Sequence, residues 1–179
     1  MKLSTEHWNR MLRHEEQAFS QCYQQASPII YTVIFRICNC KVTAQDILQE
    51  TFIHAFSNLN ALKEPEKFLA WLKRIAFNKT ISWIRVNNKH LNTIDIDEFK
   101  LRDSSTSLEI RHQVTNDLSL IMEKLPPQSR LILWLYAIEG YSHQEIAQMH
   151  EKSVSYSKTI ISRALGALKN DYKVAINAK

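Results

Sequence analysis

Apolar positions along the 179-residue chain recur at helical spacing wherever a sustained period is present. From about residue 10 to 92 the pattern is helical throughout. Within it, Leu48, Phe52, Ala55, Phe56 and Leu59 mark one buried face, with Thr43 expected as N-cap and Asp46 in the first turn. Asp46, Gln49, Glu50 and His54 fall on the other sides, facing solvent. Pro65 marks a break. A further helix is expected from about Glu66 to Asn88, its core stripe being Phe68, Leu72, Ile75, Trp83 and Val86.

The period then stops. NTIDIDEFKLRDSSTSLE, Asn92 to Glu109, holds five acidic residues against two basic ones and reads as a linker. Fully extended, at ~3.3 Å per residue, such a stretch reaches about 60 Å. Four helical segments are expected beyond it, from about 110 to 173. In LPPQSRLILWLYAIEG the prolines stand where a helix can begin and Gly140 where it can end. Ser142 and Glu145 have capping-box spacing, which starts the next helix beside His143, and Ser153 is placed to cap the last. The expected fold is all-α. Two small helical domains, 10–92 and 111–173, are joined by a flexible acidic linker, 93–110, and the C-terminal domain holds a helix-turn-helix.

A wheel of Val154 to Asn170 at 100° per residue divides cleanly. Val154, Ser157, Ile160, Ile161, Ala164, Leu165, Ala167 and Leu168 form one arc. Ser155, Tyr156, Lys158, Thr159, Ser162, Arg163, Gly166, Lys169 and Asn170 form the other, with no acid among them. Such a face can enter the major groove, where Lys158 and Arg163 would bond guanine edges or phosphates. It can equally be the solvated side of an ordinary amphipathic helix. Phe68 to His90 carries Lys73, Arg74, Lys79, Arg85 and Lys89 without an acid, and Arg74, Asn78, Ser82, Arg85 and Lys89 share one arc. A basic arc beside aromatics suits phosphate contact and stacking of an unpaired base, although aromatics at helical spacing are usually core.

Composition sharpens this reading in places. Two glycines and four prolines are too few for a fold of many hairpins. A net charge of +5 and a pI near 9.1 fit nucleic acid or an acidic partner. Cys22, Cys38 and Cys40 are an odd set, read as reduced thiols. The opening MKLSTEHWNRMLRHEE lacks the apolar stretch of a signal peptide, and no apolar run reaches 18 residues. A cytoplasmic protein without membrane insertion is expected. His143 and His150 lie seven apart, whereas metalloprotease ligands need a spacing of four, so no metal site is assigned. With no nucleophile–base set or phosphate loop, neither an enzyme nor a cofactor is expected.

Three ordered stretches then carry a resemblance: AQDILQETFIHAF, FLAWLKRIAFN and LPPQSRLILWLYAIEGYSHQEIAQ. Together they resemble bacterial RNA polymerase sigma factors of the sigma-70 family, and within it the extracytoplasmic-function (ECF) group, over roughly residues 10 to 172. The resemblance implies a sigma region 2 at 10–92 and a region 4 at 111–173, which recruit core RNA polymerase and recognise the −10 and −35 promoter elements. Asp46, Gln49, Glu50 and His54 would meet the clamp helices of the largest polymerase subunit, and region 4 the flap of the second. Asn60, Lys63, Lys67, Trp71, Arg74, Asn78 and Arg85 would contact the unwound −10 element. Ser155, Tyr156, Lys158, Thr159, Ser162 and Arg163 would read the −35 duplex. An anti-sigma factor is a further implied partner, and the linker would thread the polymerase's own nucleic-acid channel. Against the family pattern, Ser82 replaces a common aspartate and Phe77 a common arginine. Glu151 and Lys152 replace a glycine-isoleucine corner, and Ile160 and Leu165 replace frequent arginines. The competing reading is a stand-alone helix-turn-helix regulator that binds duplex DNA without polymerase.

Overall fold

The computed structural model describes residues 3–89 and 122–177, and all regular structure among them is helical. The linker expected at 93–110 and the start of the second domain lie outside the described residues. By internal packing the chain divides into two units, 1–85 and 86–179.

The first unit begins with a helix that the periodicity did not reveal. Helix α1 spans Thr5–Leu12; the Ser4 hydroxyl accepts from His7 N–H at 3.1 Å, and Trp8 and Met11 are buried. Helix α2, Glu16–Cys38, buries an i, i+4 row of Ala18, Cys22, Ala26, Ile30, Ile34 and Cys38. At the corner between them His14 has φ +58°. His14 N–H donates to Met11 O and Glu15 N–H to Arg10 O, the paired bonds of a Schellman motif. Glu15 then joins the two helices through Arg10 at 2.6 Å and Arg13 at 2.9 Å. Hydrogen bonds from these guanidiniums, Arg10 first, hold its carboxyl below the ordinary glutamate range.

Helix α3, Lys41–Ser57, starts two residues before the expected cap. Asn39 takes the left-handed conformation, φ +51°, and Cys40 returns to extended backbone at the N-cap position. Thr43 therefore lies inside the first turn, and Asp46 beyond it. Hydrogen bonding from Thr43 lowers the Cys40 thiol below its usual range, whereas burial pushes the Cys22 thiol up to about 12. Leu48, Phe52, Ala55 and Leu59 are buried as expected, together with Ala44, Ile47 and Thr51. The Thr51 hydroxyl donates to Ile47 O at 2.7 Å, so no polar atom is stranded there.

Two short 3-10 turns, Leu59–Ala61 and Pro65–Lys67, lead into α4, Phe68–Lys89. Phe68, Leu72, Ile75 and Ala76 join the core of the first unit. Beyond them the buried side turns around the helix to Phe77, Thr80, Ile81 and Ile84, leaving Trp83 half-buried and Val86 60% exposed. The core stripe assigned from the sequence is thus corrected in its second half. A stripe continued at one angle misses a helix whose buried face changes along its length.

In the second unit α5 spans Pro127–Ala137 with Pro127 in the first turn. Six successive residues, Arg130 to Leu135, are buried, so the middle of this helix is covered on every side, while Tyr136 and Ala137 at its end are exposed. Gly140, φ +75°, turns the chain so that Tyr141 N–H reaches Leu135 O at 2.9 Å. Helix α6, His143–His150, opens on the capping box: Ser142 Oγ accepts from Glu145 N–H, and Glu145 Oε2 accepts from Ser142 N–H at 2.8 Å. Helix α7, Val154–Asn177, starts with Ser153 Oγ accepting from Tyr156 N–H at 3.2 Å. Both α5 and α6 pack on α7.

Candidate functional site

Three surfaces present the residues singled out from the sequence. On α3, Asp46, Gln49, Glu50 and His54 are all exposed, opposite the buried face. Glu50 is paired with Lys79 of α4 at 3.1 Å, a contact between surface groups that no periodicity announces. The same face also shows Val42 and Ile53, 66% and 59% exposed.

The second surface runs from the α3 terminus along α4. Leu59 is buried and Leu62 half-buried against the core, which fixes the connecting segment while Asn60 and Lys63 point to solvent. Lys67 is exposed but engaged by Glu64 at 2.7 Å, and that hydrogen bond raises its ammonium above the usual lysine range. Trp71 is half-buried and tilted against Phe68, with ring centroids 6.0 Å apart. Arg74, Asn78, Ser82 and Arg85 are exposed along one side of α4. Phe77, which shares this helix, is fully buried.

The third surface is the outer side of α7. Ser155, Lys158, Thr159, Ser162, Arg163 and Lys169 are exposed. Ser157, Ile161 and Ala164 are buried, Ile160 is half-buried, and Leu165 and Val154 are exposed, which narrows the inner arc. Tyr156 differs from its wheel neighbours. It is half-buried, its hydroxyl accepts from Gln128 Nε2 of α5, and burial pushes its phenol above the usual tyrosine range. The side chain braces α7 against α5 instead of projecting from it. His143 does similar work from α6: its ring stacks on Tyr136 with centroids 4.7 Å apart, and Nδ1 lies 3.1 Å from the buried Ser157 Oγ. Neither Gln128 nor His143 was singled out as a brace. A polar residue whose partner lies on another helix leaves no signal in a one-helix pattern.

The corner between α6 and α7 also resolves. Glu151 has φ +55°, its N–H donates to Gln148 O at 3.2 Å, and Lys152 N–H donates to Ala147 O at 2.9 Å. This is the Schellman geometry usually given to glycine, held here by glutamate. Among the described residues no group of three or more His, Cys, Asp or Glu is placed to hold a metal, and no helix is long and apolar enough to cross a membrane.

Comparison with known proteins accounts for both units. Sigma-70 region 2 matches residues 22–90, and Sigma-70 region 4 matches residues 115–168, together more than half of the chain. The ECF sigma factor SigW of Bacillus subtilis is 28% identical over 174 residues, covering 89% of this chain and 91% of SigW. SigX of the same organism is 26% identical over 161 residues, with 86% and 83% covered. A "Probable RNA polymerase sigma factor RfaY" of Xanthomonas campestris is 29% identical over 176 residues, and the matched part spans 44% of that longer protein. The fold is also that of RpoE, solved with the anti-sigma factor NepR from Bartonella quintana. The TM-score is 0.55 at 20% identity, with 87% of this chain and 97% of that one covered. CnrH, solved with the cytosolic domain of CnrY, gives a TM-score of 0.53 at 22% identity, with 94% and 96% covered. Nothing in these matches favours a stand-alone regulator. The chain belongs to the sigma-70 family of RNA polymerase sigma factors, in its extracytoplasmic-function group, and directs promoter-specific transcription.

Proposed function

We propose that this sigma factor engages core RNA polymerase through the exposed face of α3, meets the −10 element with the segment from Asn60 to Lys67 and the outer side of α4, and reads the −35 element with α7. The observation that carries the last assignment is the exposed, acid-free face of Ser155, Lys158, Thr159, Ser162 and Arg163 on a helix braced from two sides. Tyr156 serves there as a brace. Asp46, Gln49, Glu50 and His54 form the polymerase face, and Asn60, Lys63, Trp71, Arg74, Asn78 and Arg85 the −10 face. Lys67 must leave Glu64 before it can meet a phosphate. Such work takes place in the cytoplasm. An anti-sigma partner is part of the proposal, supported by the related fold of RpoE, solved with the anti-sigma factor NepR.

The test adds purified protein to bacterial core polymerase and follows complex formation and transcripts from a two-part promoter. A stable complex with promoter-specific starts is expected; no complex at any concentration overturns the reading. Exchanging Lys158 or Arg163 for alanine is expected to cost about 1–3 kcal/mol at its base pair if the contact is bidentate. Unchanged transcription from −35-dependent promoters would remove α7 from the assignment.

A further inference from the structure

The α3 face holds more than the acidic and amide groups already assigned to it. Taken at 100° per residue, Val42, Asp46, Gln49 and Ile53 fall within about 60° of one another. All four are exposed. The stripe lies directly opposite Ala44, Thr51 and Ala55, which are fully buried. Val42 and Ile53 close its two ends three turns apart, about 16 Å along the axis. Val42 is the most exposed large apolar side chain among the described residues, and Ile53 is nearly as open. Neither contributes to the core, so neither has a folding reason to be apolar. A solitary exposed valine would need no explanation. Two β-branched side chains on one narrow stripe, with two polar groups in line between them, form an organised surface.

We infer that Val42 and Ile53 are the apolar anchors of the polymerase-docking face, seated on core polymerase either side of a polar centre made by Asp46 and Gln49. This rests on the reading of α3 as that face. The occupant it fits is a rigid polymerase surface with two shallow apolar depressions about three helical turns apart and a cation or amide donor between them. Asp46 supplies the matching negative charge on the stripe, with Glu50 beside it engaged by Lys79. The order apolar–polar–apolar reads the same in both directions, so the direction of α3 on its partner is set by the inequivalent polar pair, Asp46 toward Val42 and Gln49 toward Ile53. Polar groups then set orientation and encounter, and the two apolar ends set residence time.

The experiment measures the affinity of the full-length protein for purified core polymerase, with Val42→Ala, Ile53→Ala, the double variant and Glu50→Lys. Thermal unfolding is followed in parallel. Each alanine is expected to weaken the complex about tenfold and the pair about a hundredfold, through faster dissociation. Unfolding temperatures should stay near that of the parent. The salt dependence of binding is expected to be kept in the alanine variants and altered in Glu50→Lys. If Glu50→Lys weakens binding while the alanine variants stay within twofold of the parent, the anchors are refuted and the docking face stands. If none of the variants changes affinity, the docking face itself lies elsewhere. Self-association of the parent that Ile53→Asp abolishes, with polymerase binding unaffected, would assign the stripe to a second copy of this chain and overturn the inference.

Discussion

Glu151 occupies a backbone conformation that a glycine adopts without penalty. The left-handed region brings Cβ close to a carbonyl oxygen, at a cost of roughly 1–2 kcal/mol for an L-residue, part of which glycine forfeits through its freer unfolded chain. Glu151→Gly is therefore expected to stabilise the C-terminal unit by about 0.5–1 kcal/mol, measured as a shift in its urea midpoint. Glu151→Val should destabilise it. The corner was unreadable in the sequence because its recognition signal is the glycine that is missing. His14 and Asn39 were hidden for the same reason. The thiols offer a second test. Cys40 is exposed with a lowered thiol and Cys22 fully buried with a raised one. Iodoacetamide should label Cys40 first and leave Cys22 unmodified until the unit unfolds, as peptide mapping would show.

Helices with local signals were legible, and those shaped by their neighbours were less so. Proline, glycine and the Ser142–Glu145 spacing located α5 and α6, and Ser153 the start of α7, because caps act within one turn. Ser142→Ala should lower stability by about 1 kcal/mol, with loss of helical signal at a lower temperature. Thr43 misled because any Thr before an apolar run can pass for a cap, whereas the αL turn at Asn39 places the cap at Cys40, three residues earlier. The rotating buried face of α4 and the position of Val86 depend on what packs around that helix. Helix α1 was missed since eight residues hold only two buried positions, Trp8 and Met11. Its link to α2 is testable by pH. The folded carboxyl of Glu15 is depressed, so its contribution is present above the unfolded glutamate pKa and is lost as pH falls through the folded value. Glu15→Gln should flatten that acid limb of the stability profile and leave the neutral-to-alkaline side parallel to the parent.

For the molecule as a whole, the proposed pair of readers on one chain would account for the light charge of α7. A lone repressor needs many phosphate contacts to hold DNA, each steepening the salt dependence by about 0.9 in log–log slope. A reader delivered by polymerase and tied to a second reader gains from effective concentration, so Lys158 and Arg163 among hydroxyls can suffice. Cutting the chain within residues 93–110 should lower the affinity of the reconstituted polymerase for a two-part promoter by about 10²–10⁴-fold. A band-shift titration with both halves added separately would read this. The family could be read from motif order, and the solvent exposure of most of the candidate residues from wheel geometry. Tyr156's inward turn, the Lys67–Glu64 pair and the Val42–Ile53 stripe could not, since each depends on contacts or exposure set by the folded unit.

The three left-handed corners at His14, Asn39 and Glu151 also bear on how long the protein lasts in a cell. Stability forgone at a corner enlarges the open population by up to about fivefold per 1 kcal/mol. Proteolysis tracks that population when opening and closing are fast. Residue choice at these corners is thus expected to tune turnover. A glycine at position 151 should lengthen the protein's half-life in a pulse-chase while leaving promoter choice unaltered.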